Sequence, residues 1–312
     1  VTGGRADAPR AGAASLLVAF AACCFGSISI LTVVATRAGT ALPTLLFWRY
    51  AVAAAVLAPI AWRVRARAAE LPRGAALARE LAVAGVGQAA VAFLTLSALR
   101  WISAATLGFL FYTFPAWVAL FAALRGTERV DGRRLVALAL SLAGIVCTVG
   151  APGGGDLGAQ WPGVLLALAG ALAYALYIPY LARLHGRTTP ELASWIVAAG
   201  AGALFAAGAA ADGSLTAHLP ATSWGAVLGL SLLCTVVAFQ AFIRGLGGLG
   251  PVRTAIVSTV EPFWTAVLGA LVLAQPLTPA TLAGGALIAA AVLLLQLPAR
   301  RAPAGPAVER AG

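Results

Sequence analysis

The chain has 312 residues, of which 61% are hydrophobic and only 10% charged, and it carries a net charge of +11. Soluble domains carry about 25% charged residues, so this sequence has too few polar side chains for a water-facing surface, and much of that surface is expected to face lipid. Its basic residues fall between apolar runs, so they read as a topology signal and not as a nucleic-acid footprint.

A helix needs about 20 mainly apolar residues to span the hydrocarbon core of a bilayer. The first such stretch, 14–35, follows Arg5 and Arg10. It lacks a convincing cleavage site and further spans follow closely, so it reads as a retained helix and not a signal peptide. After it come 42–62, 81–99, 102–124, 133–150, 162–182, 191–211, 223–243, 251–274 and 279–298. The connections are short, and nothing suggests a separate soluble domain. Segment 1–13 precedes the first span, and the tail 299–312, rich in Pro and Ala, is expected to be disordered. Cys23, Cys24, Cys147 and Cys234 all lie inside apolar runs without metal-ligand spacing and read as small packing residues.

Ten spans put both ends of the chain on one side, together with every second loop. That side holds Arg5, Arg10, Arg63, Arg65, Arg67, Arg73, Arg79, Arg125, Arg129, Arg133, Arg134, Arg183, Arg187, Arg244, Arg300, Arg301 and Arg310, which are 17 of the 21 basic residues. The opposite side holds Arg37 and Arg100, while Arg49 and Arg253 lie within apolar runs. Because loops rich in Arg stay in the cytoplasm, both termini are expected there, in a multi-pass protein of the inner (plasma) membrane.

Shifted by 147 residues, the chain matches itself. Phe114-Pro115-Ala116-Trp117 falls on Glu261-Pro262-Phe263-Trp264, Pro43 on Pro190, Leu45 on Leu192 and Trp48 on Trp195. A repeat of five helices is odd, so its second copy enters the membrane from the opposite side. The arginines agree: the loop after the second span carries five, and its counterpart, roughly 210–226, carries none. The expected fold is an all-α membrane protein, ten transmembrane helices in two inverted five-helix repeats, 14–150 and 162–298. Such repeats recur in secondary transporters, where two related halves open a central site to either side in turn.

Ala98-Leu99-Arg100-Trp101-Ile102-Ser103 leads into a span with a central Pro115 and Glu128 at its end, and the second half repeats the pattern from Gly245 to Gly250 and then Pro262. At these positions, and in its ten-helix plan, the chain resembles the EamA family of the drug/metabolite transporter superfamily. The resemblance implies a central cavity and export or exchange of small metabolites, often amino acids or related compounds. One departure is Gln275, which stands where Glu128 supplies an acid in the first half.

Glu261 is the sharpest local feature. It sits roughly ten residues into the ninth span, about 15 Å at 1.5 Å per residue, near the midplane. A charged carboxylate there costs at least about 2.5–3.5 kcal/mol, so it is expected to face a polar cavity or to be protonated. Pro262 beside it cannot bond to the carbonyl of Ser258. The pair is either a site for a cation, an ammonium group or a proton, or a packing device. Pro115 is the counterpart and frees the carbonyl of Phe111; kinks at matched positions of two halves point to a binding site, though membrane helices also tolerate plain kinks. Arg49, seven residues into the second span, either binds a carboxylate, pairs with a structural acid or snorkels outward.

Trp48, Tyr112, Trp117 and Trp264 are candidates for an aromatic lining, with Tyr174 and Tyr177 sharing a face of the sixth span at a spacing of three; interfacial belts are the alternative. Gln88 and Gln240 are single amides within spans and serve either substrate or interhelical hydrogen bonds. His185 and His218 fall in loops on opposite sides, no Asp lies in an apolar run, and no Walker motif or metal constellation exists, so the pattern of an enzyme is missing and no cofactor is expected. The expected partners are a small-molecule substrate, the lipid bilayer and, as a candidate coupling ion, protons; no nucleic acid is expected, and monomer and homodimer stay open. A non-transporting structural subunit and an intramembrane enzyme are the alternatives.

Overall fold

The structure is a computed structural model and describes residues 8–65, 73–124, 132–149 and 157–296. The tail expected to be disordered and Glu128 lie outside the described residues. An apolar surface with few charges leaves the backbone only one way to satisfy its own N–H and C=O groups without closing a barrel, which is the α-helix. The helices are α1 (Ala8–Arg37), α2 (Leu42–Arg65), α3 (Ala75–Ser97), α4 in two halves (Ala104–Phe111 and Phe114–Leu124), α5 (Gly132–Val149), α6 (Leu157–Arg187) and α7 (Pro190–Ala211). They continue with α8 (Ala221–Leu228, a π-helical stretch Gly229–Val237, then Ala238–Leu249), α9 in two halves (Pro251–Ser258 and Val260–Leu273) and α10 (Pro279–Gln296). Among the described residues nine helices are long and apolar enough to cross a membrane, and Leu135–Thr148 is a tenth, shorter apolar helix.

The protein is an all-α membrane protein of ten helices in two inverted five-helix repeats. The packing follows the pseudo-two-fold relation. Helix α2 lies along its counterpart α7 and α5 along α10, whereas the first half of α4 lies along the second half of α9, a contact the halves do not repeat to the same extent. Contacts between unlike helices come in matched pairs: α1 packs on α8 and α9, and its counterpart α6 packs on α3 and α4. Small residues allow this closeness, since helices in lipid associate by direct packing and not by water exclusion. A Cβ on Gly85 of α3 would stand 2.5 Å from the Gly200 carbonyl carbon of α7, and one on Gly26 of α1 2.7 Å from the Glu261 carbonyl oxygen of α9.

Three features differ from the sequence-based expectation. Several helices run beyond the apolar stretches that announced them, α6 by a full turn or more at each end, so His185 lies in the last turn of α6 and not in a loop. Arg253, inside the ninth apolar run, is exposed in the first turn of α9. The fourth and ninth spans are interrupted and not simply kinked. The chain leaves the helix at Tyr112–Thr113 and at Thr259, with Pro115 and Pro262 in the first turn of the following half-helix, where proline is best tolerated.

Candidate functional site

The two interruptions face each other across the halves. At the first, Tyr112 closes its half-helix with N–H bonded back to Gly108, and Thr113 N–H reaches Leu110 O. At the second, Thr259 N–H turns back to Ile256 O, and Pro262 leaves the carbonyl of Ser258 without a helical donor. The buried Tyr112 hydroxyl fills that gap: it donates to Ser258 O at 2.6 Å and lies 3.0 Å from Glu261 Oε2. The carbonyl freed by proline and the carboxyl beside it therefore share one phenol from the opposite half.

Aromatic side chains surround this junction. Phe114 stands edge-on to Tyr112 at 5.9 Å and to Tyr174 of α6 at 4.9 Å, and Phe111 lies 5.4 Å from Tyr174. On the next turn of α9, Thr265 Oγ1 donates at 2.9 Å to Gly26 O and lies 3.0 Å from Glu261 O, and Trp264 Nε1 donates to Ser27 Oγ at 3.1 Å. Trp264 is exposed, so it rims the group and is not enclosed by it. Pro115 and Trp117 stand partly buried in the second half of α4.

A second polar group lies where α2 meets α8. Arg49 is only 6% exposed. Its Nε donates to Thr235 Oγ1 at 3.2 Å, and its guanidinium lies 5.0 Å from the centre of the Tyr50 ring. Gln88 of α3 holds that ring by donating to Tyr50 Oη at 2.8 Å, and Phe205 stacks on it at 5.8 Å. Ser231 Oγ donates to the Arg49 carbonyl, and Thr235 Oγ1 donates to Leu230 O five residues back, the spacing of a π turn. Among the described residues the ion pairs do not include Arg49, and its two Nη groups have no hydrogen-bond partner. Neither Nη is among the fully enclosed polar atoms left unpartnered, so both reach accessible space. Among the described residues, then, Arg49 has no acidic partner.

Other candidate residues have structural employment away from these groups. Trp48 Nε1 donates to Thr216 O, and its ring lies 5.1 Å from Trp224, tying α2 to the segment before α8. Tyr177 donates to Ala84 O and lies over Gly87, joining α6 to α3. Gln240 is partly buried in the last part of α8. Sequence reasoning missed Tyr50, Ser231 and Thr235. None carries a local signal; they matter only because α2, α3 and α8 converge there.

Two interrupted helices meeting at a partly buried carboxyl, in two inverted units of five helices, define a multi-pass membrane protein of the kind that houses a polar centre between related halves. Residues 12–150 and 161–297 each match the EamA-like transporter family, and the chain belongs to that family. It is a membrane transporter of the drug/metabolite transporter type. No curated protein matches the chain. A crystal structure described only as that of a protein shares the fold, with a TM-score of 0.58 and 21% identity over 91% of this chain and 96% of the other.

Proposed function

We propose that the chain is a secondary transporter that exports small metabolites, such as amino acids or related compounds, by alternating access. The carrying observation is the bond from Tyr112 in the broken α4 to Ser258 and Glu261 in the broken α9. Broken helices in matching positions of inverted repeats offer backbone carbonyls and half-helix ends to a solute at the midplane. The bond spans the two halves, 14–150 and 162–298, so it changes whenever one half rocks against the other. In this reading Glu261, Tyr112, Tyr174, Pro115, Trp117, Pro262 and Trp264 surround the path, and Arg49 with Gln88 forms a second contact point. The arginine distribution favours the inner membrane with both termini in the cytoplasm.

Proton accounting supports Glu261 as a proton carrier. A phenol has one hydrogen, and Tyr112 faces two acceptors. The shorter contact, to Ser258 O, takes that hydrogen. A proton on Glu261 then completes the second contact by donating to the phenol oxygen, and its loss leaves the two oxygens in poor register.

Flux tests the proposal. The purified chain in proteoliposomes is expected to move at least one member of an amino-acid panel down its gradient, and an imposed pH gradient is expected to drive uptake. Identical leakage from vesicles with and without the chain across the panel would overturn the reading that it moves amino acids. A reporter fused after Gly312 is expected to read as cytoplasmic; an external reading reverses the orientation.

A further inference from the structure

The repeat offers an internal control for Arg49. The equivalent residue of the second half, 147 positions on, is Ile196, which is fully buried on α7. There α7 meets α3 through Gly85 and Gly200, backbone against backbone. The scaffold therefore accepts an apolar residue at this position and closes tightly around it. At the α2–α8 contact the same construction carries Ala53 and Leu232 instead of the two glycines, and the helix facing Arg49 is π-helical over Gly229–Val237. A π stretch widens the helix and is concentrated at functional sites. Its equivalent in the first half, 82–90, is an ordinary α-helix.

A buried cation without an anion is unfavourable, and the usual escape is to pair it. Here the surroundings hold the guanidinium without neutralising it. Thr235 fixes Nε, the Tyr50 face lies beside the ion, and Gln88 fixes Tyr50. What stays free is the outer edge with both Nη groups. That edge is a planar fork that matches a carboxylate with two parallel bonds. We infer that Arg49, oriented by Thr235 on the π-helical stretch of α8, is the seat of a carboxylate group of the transported solute. A single guanidinium balances one negative charge, so a monocarboxylate fits better than a phosphate dianion. The inference rests on the transporter reading for its ligand but not for its chemistry: Arg49 can bind a carboxylate whether or not the chain moves it.

The test uses the full purified chain in lipid nanodiscs and reads the unfolding midpoint against ligand concentration. The probes are the common amino acids, the matched set leucine, isoamylamine and isocaproate, and inorganic phosphate. At least one carboxylate-bearing probe is expected to raise the midpoint, with its matched amine ineffective. Arg49→Gln is expected to weaken that response about tenfold or more, the scale of a charge-assisted hydrogen bond. Arg49→Lys keeps the charge without the fork and is expected to fall between. Thr235→Val keeps the side-chain shape but removes the hydroxyl that receives Arg49 and bonds Leu230 O; it is expected to stay folded and to weaken the carboxylate response several-fold. Stabilisation by amines or phosphate alone, the absence of any carboxylate response, or an unchanged response in Thr235→Val and Arg49→Lys overturns the inference. Carboxylate binding that depends on Arg49 without flux in vesicles would uphold this site and sink the transport reading alone. Flux of amines with no carboxylate requirement would do the reverse.

Discussion

The breaks in α4 and α9 share a backbone plan and differ in chemistry. Pro115 and Pro262 open the following half-helix in each, and Trp117 and Trp264 follow at the same distance. Where the first half has Tyr112 the second has Thr259, and where the second has Glu261 the first has Phe114. Thr259 is too short to cross to the other half and bonds its own Ile256 carbonyl. Tyr112 is long enough, and it takes the carbonyl and the carboxyl of the opposite break. The two repeats thus carry interruptions at matching positions, with a donor in one and an acid in the other. The α2–α8 and α7–α3 contacts repeat the lesson, with Arg49 and a π stretch in one and Ile196 and paired glycines in the other.

The largest expected effect comes from removing the acid that makes the two breaks unlike. Glu261→Gln keeps the shape and can still donate to the Tyr112 oxygen, but it cannot release a proton. Flux in proteoliposomes is expected to fall strongly, because the amide keeps the contact to Tyr112 but cannot carry a proton through the cycle. Wild-type flux is expected to vary with pH and the residual flux of the variant to be flat, because only the carboxyl titrates. A variant with wild-type flux and a wild-type pH profile would reduce Glu261 to a packing residue.

Packing variants sharpen the second comparison. Gly200→Val drives a branched side chain into the Leu81 carbonyl and the Gly85 backbone, and neither is a flexible tip that can turn aside. Overpacking of this kind costs about 1–3 kcal/mol or more, and a clear loss of folded protein on gel filtration is expected. Gly225→Ala on α8 meets open space and is expected to be neutral or to stabilise by about 0.5–1 kcal/mol, since alanine loses less backbone entropy in a helix. Equal unfolding midpoints for the two variants would mean that α3 and α7 are not pressed together as described.

The ten helices, their division into two repeated halves and the matched positions of Pro115 and Pro262 were legible in the sequence because each is written locally, as hydropathy, as charge between runs or as a Pro at a matched offset; that the chain leaves the helix there, and does not merely kink, was not. The freed Ser258 carbonyl beside Glu261 was legible for the same reason. Its partner was not. Tyr112 is 149 residues from Glu261, and nothing near either residue names the other. Trp48 and Tyr177 looked like lining residues because an aromatic in a span has the same signature whether it faces a solute or a neighbouring carbonyl. The π stretch left no trace either: Gly229–Val237 reads as ordinary apolar helix, and nothing near Thr235 announces that its hydroxyl bonds Leu230 O and receives Arg49.

A smaller effect separates Tyr112 from its counterpart. Tyr112→Phe leaves the Ser258 carbonyl and the Glu261 carboxyl without their shared partner, and a buried acceptor without a donor costs about 1–3 kcal/mol. A lower unfolding midpoint and a several-fold loss of flux are expected together. Thr259→Ala removes only a bond to its own helix and is expected to change neither by a comparable amount. If both variants behave alike, the cross-half bond adds nothing that a local one does not.

The smallest effect concerns how each broken helix begins. Ser103 precedes α4 with extended backbone, φ −68° and ψ 159°, and its Oγ accepts from Thr106 N–H at 3.0 Å, satisfying one of the unpaired donors of the first turn. Its counterpart before α9 is Gly250, at φ 75° and ψ 166°, followed by Pro251, which brings no N–H to satisfy. The two halves start equivalent helices by different means. Ser103→Ala is expected to cost about 1 kcal/mol and Ser103→Gly only a few tenths, because glycine leaves the amide open to other partners. The reverse exchange is barred, since the Gly250 backbone lies in a region that side chains rarely adopt. Denaturation of the two Ser103 variants side by side checks the order: alanine less stable than glycine supports a true cap, whereas glycine less stable than alanine would mean that helix propensity, and not the hydroxyl, governs where α4 begins.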